Sequence, residues 1–418
     1  MNKTHKVAFF LLFFLIGFSF SVKTHAAIVT AASCSQADVN NAVGASSDGD
    51  TVMIPNGSCS WTSGLSTTKQ IVIRAQNYTP TQGGTMTHSV TITNNSSTPL
   101  FSLTSGNSFH VQLSGIRFNE GSGSANHVRM NGTGTKPPLL NDCSFEVKQR
   151  TGASTDVAVV AWLSLGGVEW NSYYNGLAAG SLDGVGPGAG ASRFVASPRD
   201  WATASTMGSL DVGGVVNTYL EDSTAINIWA FPDVDRWGRA VVRYNTLDGV
   251  NYAQTHGFSS QTFQGRHVEV YNNTFSVTAP NRNHAGRYYW IRAGTFVFTE
   301  NVVNNASNTQ NYGNVSLVVI GDTSGLGPYP VARQPGWGHN GTTNVSDPIY
   351  IWNQSGARAY SFGFYGGWGA NVVQGRDIFV NNGAKPGYTK FTYPHPLRTG
   401  GGGGGDTVPP PPTNLRVN

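Results

Sequence analysis

Seven arginines stand between positions 236 and 292 (Arg236, Arg239, Arg243, Arg266, Arg282, Arg287 and Arg292), together with His256, His267 and His284, the acids Asp248 and Glu269, and no lysine. A guanidinium is planar, permanently charged and able to donate two parallel hydrogen bonds, a geometry suited to a carboxylate. A polyuronate presents one carboxylate per sugar. If Arg243 or Arg266 neutralises it, the adjacent C5 proton becomes removable. Tyr271, His267 or His256 could then take that proton or protonate the leaving oxygen. Glu221, Arg239, Glu269, Arg292 and Trp237 complete the expected substrate-binding set, and Trp229, Tyr252 and Trp290 are further stacking platforms for sugar rings. Plainer readings stay open beside this one. Arg stems can cover strands, a loop histidine can cap a turn, and tryptophan is more often a core or loop anchor.

These residues lie on a repeat. Strand ends align at Ser223, Asn245, Asn273 and Asn301 in steps of 22, 28 and 28 residues, and Asn353 and Asn381 extend the series. Gly-Arg pairs open three units, at Gly238-Arg239, Gly265-Arg266 and Gly375-Arg376. A propeller blade needs four strands and about 40 residues, so this shorter period indicates one solenoid coil per repeat. Asparagines recurring at one turn can stack as an amide ladder. Side chains alternate along a strand, so if Val268 and Val270 face inward, His267, Glu269 and Tyr271 face outward. Aligned on the ladder, Arg243 falls between Glu221 and Tyr271, Val241 between Tyr219 and Glu269, and Arg239 beside His267. The expected result is an exposed sugar-binding face, on which Arg243→Ala removes activity and leaves stability nearly unchanged. A solvated cross-strand ladder has the same pattern.

Composition agrees with a strand-built chain. Only 11% of the 418 residues are charged, 52 are glycine, and the 39% hydrophobic fraction can supply a core. Lys3 and Lys6 precede an apolar run ending near Phe20, with small residues at Ala26 and Ala27, the pattern of a secretory signal peptide over 1–26. Losing Lys3, Lys6 and Lys23 with that leader lowers Lys+Arg from 26 to 23 against 22 Asp+Glu, so nucleic acid and membrane are not expected partners. Ser35 followed by Asp38 predicts a helix start. Cys34 and Cys59 flank this region, and pairing them would contribute roughly 3 kcal/mol, leaving Cys143 as a buried thiol. Residues 27–398 are assigned to the solenoid, and the glycine and proline tracts of 399–418 to a linker.

The Cys-Ser-Gln-Ala-Asp-Val segment at 34–39, the Asp-Gly-Asp-Thr-Val run at 48–52 and Tyr-Asn-Asn-Thr-Phe at 271–275 resemble the secreted right-handed parallel β-helix proteins with the pectin lyase fold. The likeness covers about residues 33–395. It implies an all-β, single-stranded right-handed parallel β-helix with a short N-terminal capping helix, a fold that carries lyases, hydrolases, epimerases, esterases and adhesive tailspikes and so does not select among functions. It does not transfer a complete catalytic set. Polygalacturonase-like hydrolases carry adjacent aspartates and Gly-His-Gly, whereas this chain has Thr255-His256-Gly257 and no Asp-Asp pair. Alginate and chondroitin lyases set a lysine with an arginine, and pectate lyases hold calcium with several carboxylates; here the acids are scattered. The expected function is cleavage of an acidic polysaccharide by β-elimination, a task calcium could share. The alternative is a non-catalytic carbohydrate-binding or adhesive β-helix.

Overall fold

Short runs such as Thr51–Ile54 and Arg239–Arg243 form strands because β-branched side chains suit a pleated surface, and Gly, Asn and Asp close them into turns. The computed structural model describes residues 26–80, 86–132, 135–147, 159–163, 166–176, 193–195, 214, 217–226, 228, 230–235, 238–249, 252–255, 265–276, 289–291, 293–304, 316–320, 335–339, 344–356, 361–364 and 372–400. The expected leader and most of the expected linker lie outside this range. Three parallel sheets run the length of the chain. Sheet A has 12 strands, from Ile28–Thr30 to Ile378–Val380. Sheet B has ten, from Gly57–Trp61 to Ser355–Gly356, and sheet C has ten, from Leu65–Thr67 to Ser361–Phe364. The chain visits A, B and C in turn and pairs each strand with those one coil away. This is the right-handed parallel β-helix that the family resemblance implies, with one coil per repeat as the spacing predicts.

The corner from A to B is built from two residues in almost every coil. The first is left-handed: Asp222, Tyr244, Asn272 and Glu300 have φ between 51° and 58°. The second builds the ladder. Asn245 Oδ1 accepts from the Ser223 N–H at 2.9 Å, and Asn273 Oδ1 accepts from the Asn245 N–H at 3.0 Å. Asn301 repeats the bond to Asn273, and Gln354 Oε1 continues it to Asn301 at 3.1 Å. Asn353 and Asn381 therefore do not extend the ladder as expected. Both hold the left-handed position one residue earlier, because a glutamine takes the ladder place in the coil of Asn353. The Gly-Arg pairs also differ in register: Arg239 opens its strand and pairs with His267, so Arg266 lies one residue before the strand it precedes.

Inside the coils, Phe118, Phe145 and Tyr174 stack at centroid distances of 5.1 and 4.9 Å, and Phe231 meets Tyr174 edge-on. The N-terminal end is closed by the helix Gln36–Ala45, whose cap Ser35 accepts from the Asp38 N–H and whose Val39, Ala42 and Val43 are buried. The Cys34–Cys59 disulfide ties this cap to the first coil across a Cα–Cα distance of 5.9 Å, and Cys143 is a free buried thiol. Among the described residues no helix is long and apolar enough to cross a membrane.

A buried acid interrupts the apolar interior of sheet A. Glu169 is fully buried beside the ring stack, and burial pushes its pKa up to about 7. Hydrogen bonds from Tyr174 Oη and from Trp162 Nε1, at 3.1 Å, oppose that shift. A carboxyl whose folded pKa is raised binds its proton more tightly in the folded state. Its contribution to stability is full below about 4.5 and is lost as pH rises through about 7. Urea unfolding at pH 4.5 and pH 8 should therefore show a pH-dependent loss of about 3 kcal/mol in the wild type that is largely absent in Glu169→Gln.

Candidate functional site

The strands Thr218–Glu221, Arg239–Arg243 and His267–Tyr271 are neighbours in sheet A. Their register is the expected one. Glu221 pairs with Arg243 and Arg243 with Tyr271, Tyr219 with Val241 and Val241 with Glu269, and Arg239 with His267. Val268 and Val270 face the core, and the outer face gathers Tyr219, Val241 and Tyr271 in a second apolar cluster with Leu139, Val168 and Trp170.

The face is not exposed. Glu221, Arg239, Arg243, Arg266, His267, Glu269 and Tyr271 are all buried. Over Glu221, Arg243, Glu269 and Tyr271 the cover is a C-terminal strap, residues 384–398, which turns back from the last coil and runs along the outer face of sheet A. Tyr388 meets Trp352 edge-on and donates through Oη to Glu269 Oε2 at 2.8 Å. Phe391 and His395 pack on Tyr219, and Tyr393 stacks on Tyr244 while donating to Asp222 Oδ1 at 2.7 Å. Arg398 reaches Glu221 Oε2 at 2.9 Å and also binds Asp222. Burial, with Arg243 and Arg398 nearby, lowers the His395 pKa to about 3, so its ring is neutral under this strap.

Arg243 is the centre of the clasp. Its Nε donates to Glu221 Oε1 at 2.8 Å and its Nη2 to the same oxygen and to the Thr392 carbonyl at 2.8 Å. Its Nη1 donates to Tyr271 Oη at 3.0 Å and to the Phe391 carbonyl at 2.7 Å. A guanidinium has five N–H donors, and these bonds use all five. The Tyr219 ring centroid lies 4.7 Å from the charged carbon. Burial disfavours the charge, but Glu221 and Tyr271 outweigh it and hold the Arg243 pKa above its usual value. No donor remains for a substrate carboxylate. The expectation that Arg243 stands on an open sugar-binding face is therefore corrected: the strap, remote in sequence, has taken that position.

Farther along the same strands, His267 Nε2 lies 2.9 Å from Glu269 Oε1, so Tyr388, Glu269 and His267 form a hydrogen-bonded chain. Arg239 and Arg266 are buried near them. Desolvation lowers the Arg266 pKa to about 10; Asp347 opposes this shift and Arg239 adds to it. His256, Arg292 and Trp237 lie outside the described residues. Among the described residues, no group of three or more His, Cys, Asp or Glu side chains is placed to hold a metal ion.

Sheet C offers a different surface. The backbone register aligns Arg129, Ala161, Arg193, Asp233, Gln254 and Trp290 in one lateral column. That column alternates with Val234, Thr255 and Ile291, which are buried. The long connections, including residues 177–192, 196–217, 256–266 and 277–288, enter or leave strands of this sheet.

No protein-family sequence model matches the chain, and no curated protein sequence matches it. Among solved structures, the chain is similar to the crystal structure of an alginate lyase from Paenibacillus sp. str. FPU-7, at 12% identity and a TM-score of 0.31, over 71% of this chain and 98% of that one. The sheet topology, rather than this likeness, defines the fold.

Sequence reasoning missed the strap. A signal existed, because the outward positions Tyr219 and Val241 are apolar on strands that also face the core, and a sheet apolar on both faces needs two covers. With Arg243 as the clasp, Arg243→Ala should destabilise the fold by about 3–5 kcal/mol, because it leaves Glu221 buried with a partner removed. The measurement is the urea midpoint. Arg243→Lys should recover only part of the loss, since three ammonium donors cannot replace five.

Proposed function

We propose that the protein is an extracellular, polysaccharide-acting β-helix that cleaves an acidic polymer by β-elimination along the outer face of sheet C. The observation that carries this reading is the backbone-register column of Arg129, Ala161, Arg193, Asp233, Gln254 and Trp290 on the sheet whose strands the long connections enter or leave. Arginine and an aromatic ring on one parallel sheet suit a chain of charged sugars, the first for carboxylates and the second for stacking. Of the three bases considered from sequence, Tyr271 and His267 are buried. The remaining one, His256, directly follows Tyr252–Thr255, and Arg292 directly follows the adjacent strand Tyr289–Ile291. Trp237 follows Ala230–Asp235 of the same sheet after a single residue.

In this reading Arg292 neutralises the uronate carboxylate, His256 removes the C5 proton, and Trp237 and Trp290 hold neighbouring sugars. The leader pattern and the Cys34–Cys59 disulfide support a site of action outside the cell. The test is a panel of polyuronates, with calcium and with a chelator, monitoring the unsaturated product near ~235 nm. His256→Ala should lower the rate roughly 10²–10⁴-fold, and Arg292→Ala roughly 10²–10³-fold. Tight binding to a polymer with neither new absorbance nor new reducing ends would instead make the protein a binding module.

A further inference from the structure

We propose that Ser144 is a nucleophile activated by His88, forming a second reactive centre, on the outer face of sheet B, that takes small acyl esters. Ser144 opens the strand Ser144–Val147, between the core residues Cys143 and Phe145, so its side chain lies on the face away from the core. Its register partners are Arg117 and Tyr173 on the two adjacent coils.

His88 arrives by an unusual route. Other described A-to-B corners are two residues, whereas residues 76–89 form an excursion containing the antiparallel pair Tyr78–Thr79 and Thr87–His88. This excursion carries the imidazole across to a strand 56 residues away in sequence, where Nε2 lies 2.7 Å from Ser144 Oγ. The other ring nitrogen, Nδ1, lies 2.9 Å from the Gly115 carbonyl oxygen. A carbonyl can only accept, so Nδ1 carries the proton and the Nε2 lone pair faces the serine hydroxyl. That is the tautomer a general base requires, oriented by a backbone oxygen rather than by a carboxylate. Burial first, and the Arg117 charge in addition, lower the His88 pKa and keep the ring in its basic form at neutral pH. Arg117, the register partner of Ser144, is half exposed, and its guanidinium is held by Asn119 and by Glu146 at 2.8 Å.

The reaction follows from these positions. Ser144 Oγ bonds to the ester carbonyl carbon as its proton passes to His88 Nε2, and Arg117 faces the oxyanion. Collapse breaks the carbon–oxygen bond to the alcohol, which leaves with the proton from His88. Water, deprotonated by His88, then cleaves the acyl-serine to a carboxylic acid and restores Ser144. With only 8% of Ser144 exposed, the acyl group must be compact, as in an acetyl ester on a hydroxyl-rich polymer.

The experiment uses p-nitrophenyl acetate and a serine-directed fluorophosphonate on the folded full-length protein, with peptide mapping of the label. The expected result is a phosphonylated Ser144 and nitrophenol release that Ser144→Ala returns to the background of spontaneous hydrolysis. His88→Gln can keep both hydrogen bonds but cannot take a proton, so it should fold normally and lose roughly 10²–10⁴-fold in rate and labelling. Equal nitrophenol release by wild type and Ser144→Ala, or a native protein whose Ser144 stays unlabelled, would overturn the proposal.

Discussion

Parallel strands hydrogen-bond only sideways, so each coil satisfies its backbone through the coils before and after it. That lateral requirement fixes which residues become neighbours. It stacks Asn245, Asn273 and Asn301 at one corner and sets Glu221, Arg243 and Tyr271 in a single row. It also leaves every sheet with an outer face that the solenoid cannot cover by itself. What happens to each outer face then decides where chemistry is possible.

The three faces have different fates. Sheet A puts apolar and charged groups outward together, and the strap seals them into an environment where ion pairs must be fully hydrogen-bonded. Sheet B presents short polar side chains, with Ser144, Arg117 and Glu146 close to one another. Sheet C has strands that the long connections enter or leave, and its register aligns Arg193, Asp233, Gln254 and Trp290 in successive coils. One fold thus holds a structural charge cluster and candidate reactive surfaces at different angles around the same axis.

Much of this was legible in the sequence. The alternation of Val268 and Val270 with His267, Glu269 and Tyr271, together with the spacing of Asn245 and Asn273, gives the register residue by residue, because both follow from local periodicity. The capping helix and its serine were legible for the same reason. Burial of Arg243 was not, since its covering carbonyls at Phe391 and Thr392 lie almost 150 residues away and belong to no repeat. The slip at Asn353 has a smaller cause: glutamine can supply the same amide oxygen as asparagine, so counting asparagines misplaces that coil and carries the error on to Asn381. The pairing of His88 with Ser144 was hidden because an excursion outside the coil repeat brings the histidine there.

The direction of the strap has a mechanical consequence. It runs from the last coil back toward earlier ones and ends in the short helix Leu397–Gly400, with Arg398 over the Trp170 ring. A chain continuing past Gly400 therefore leaves the rod from its flank, not from its tip. Tension on that chain would be borne as shear across the Arg243, Tyr393 and Arg398 contacts at once, before any terminal coil could peel away.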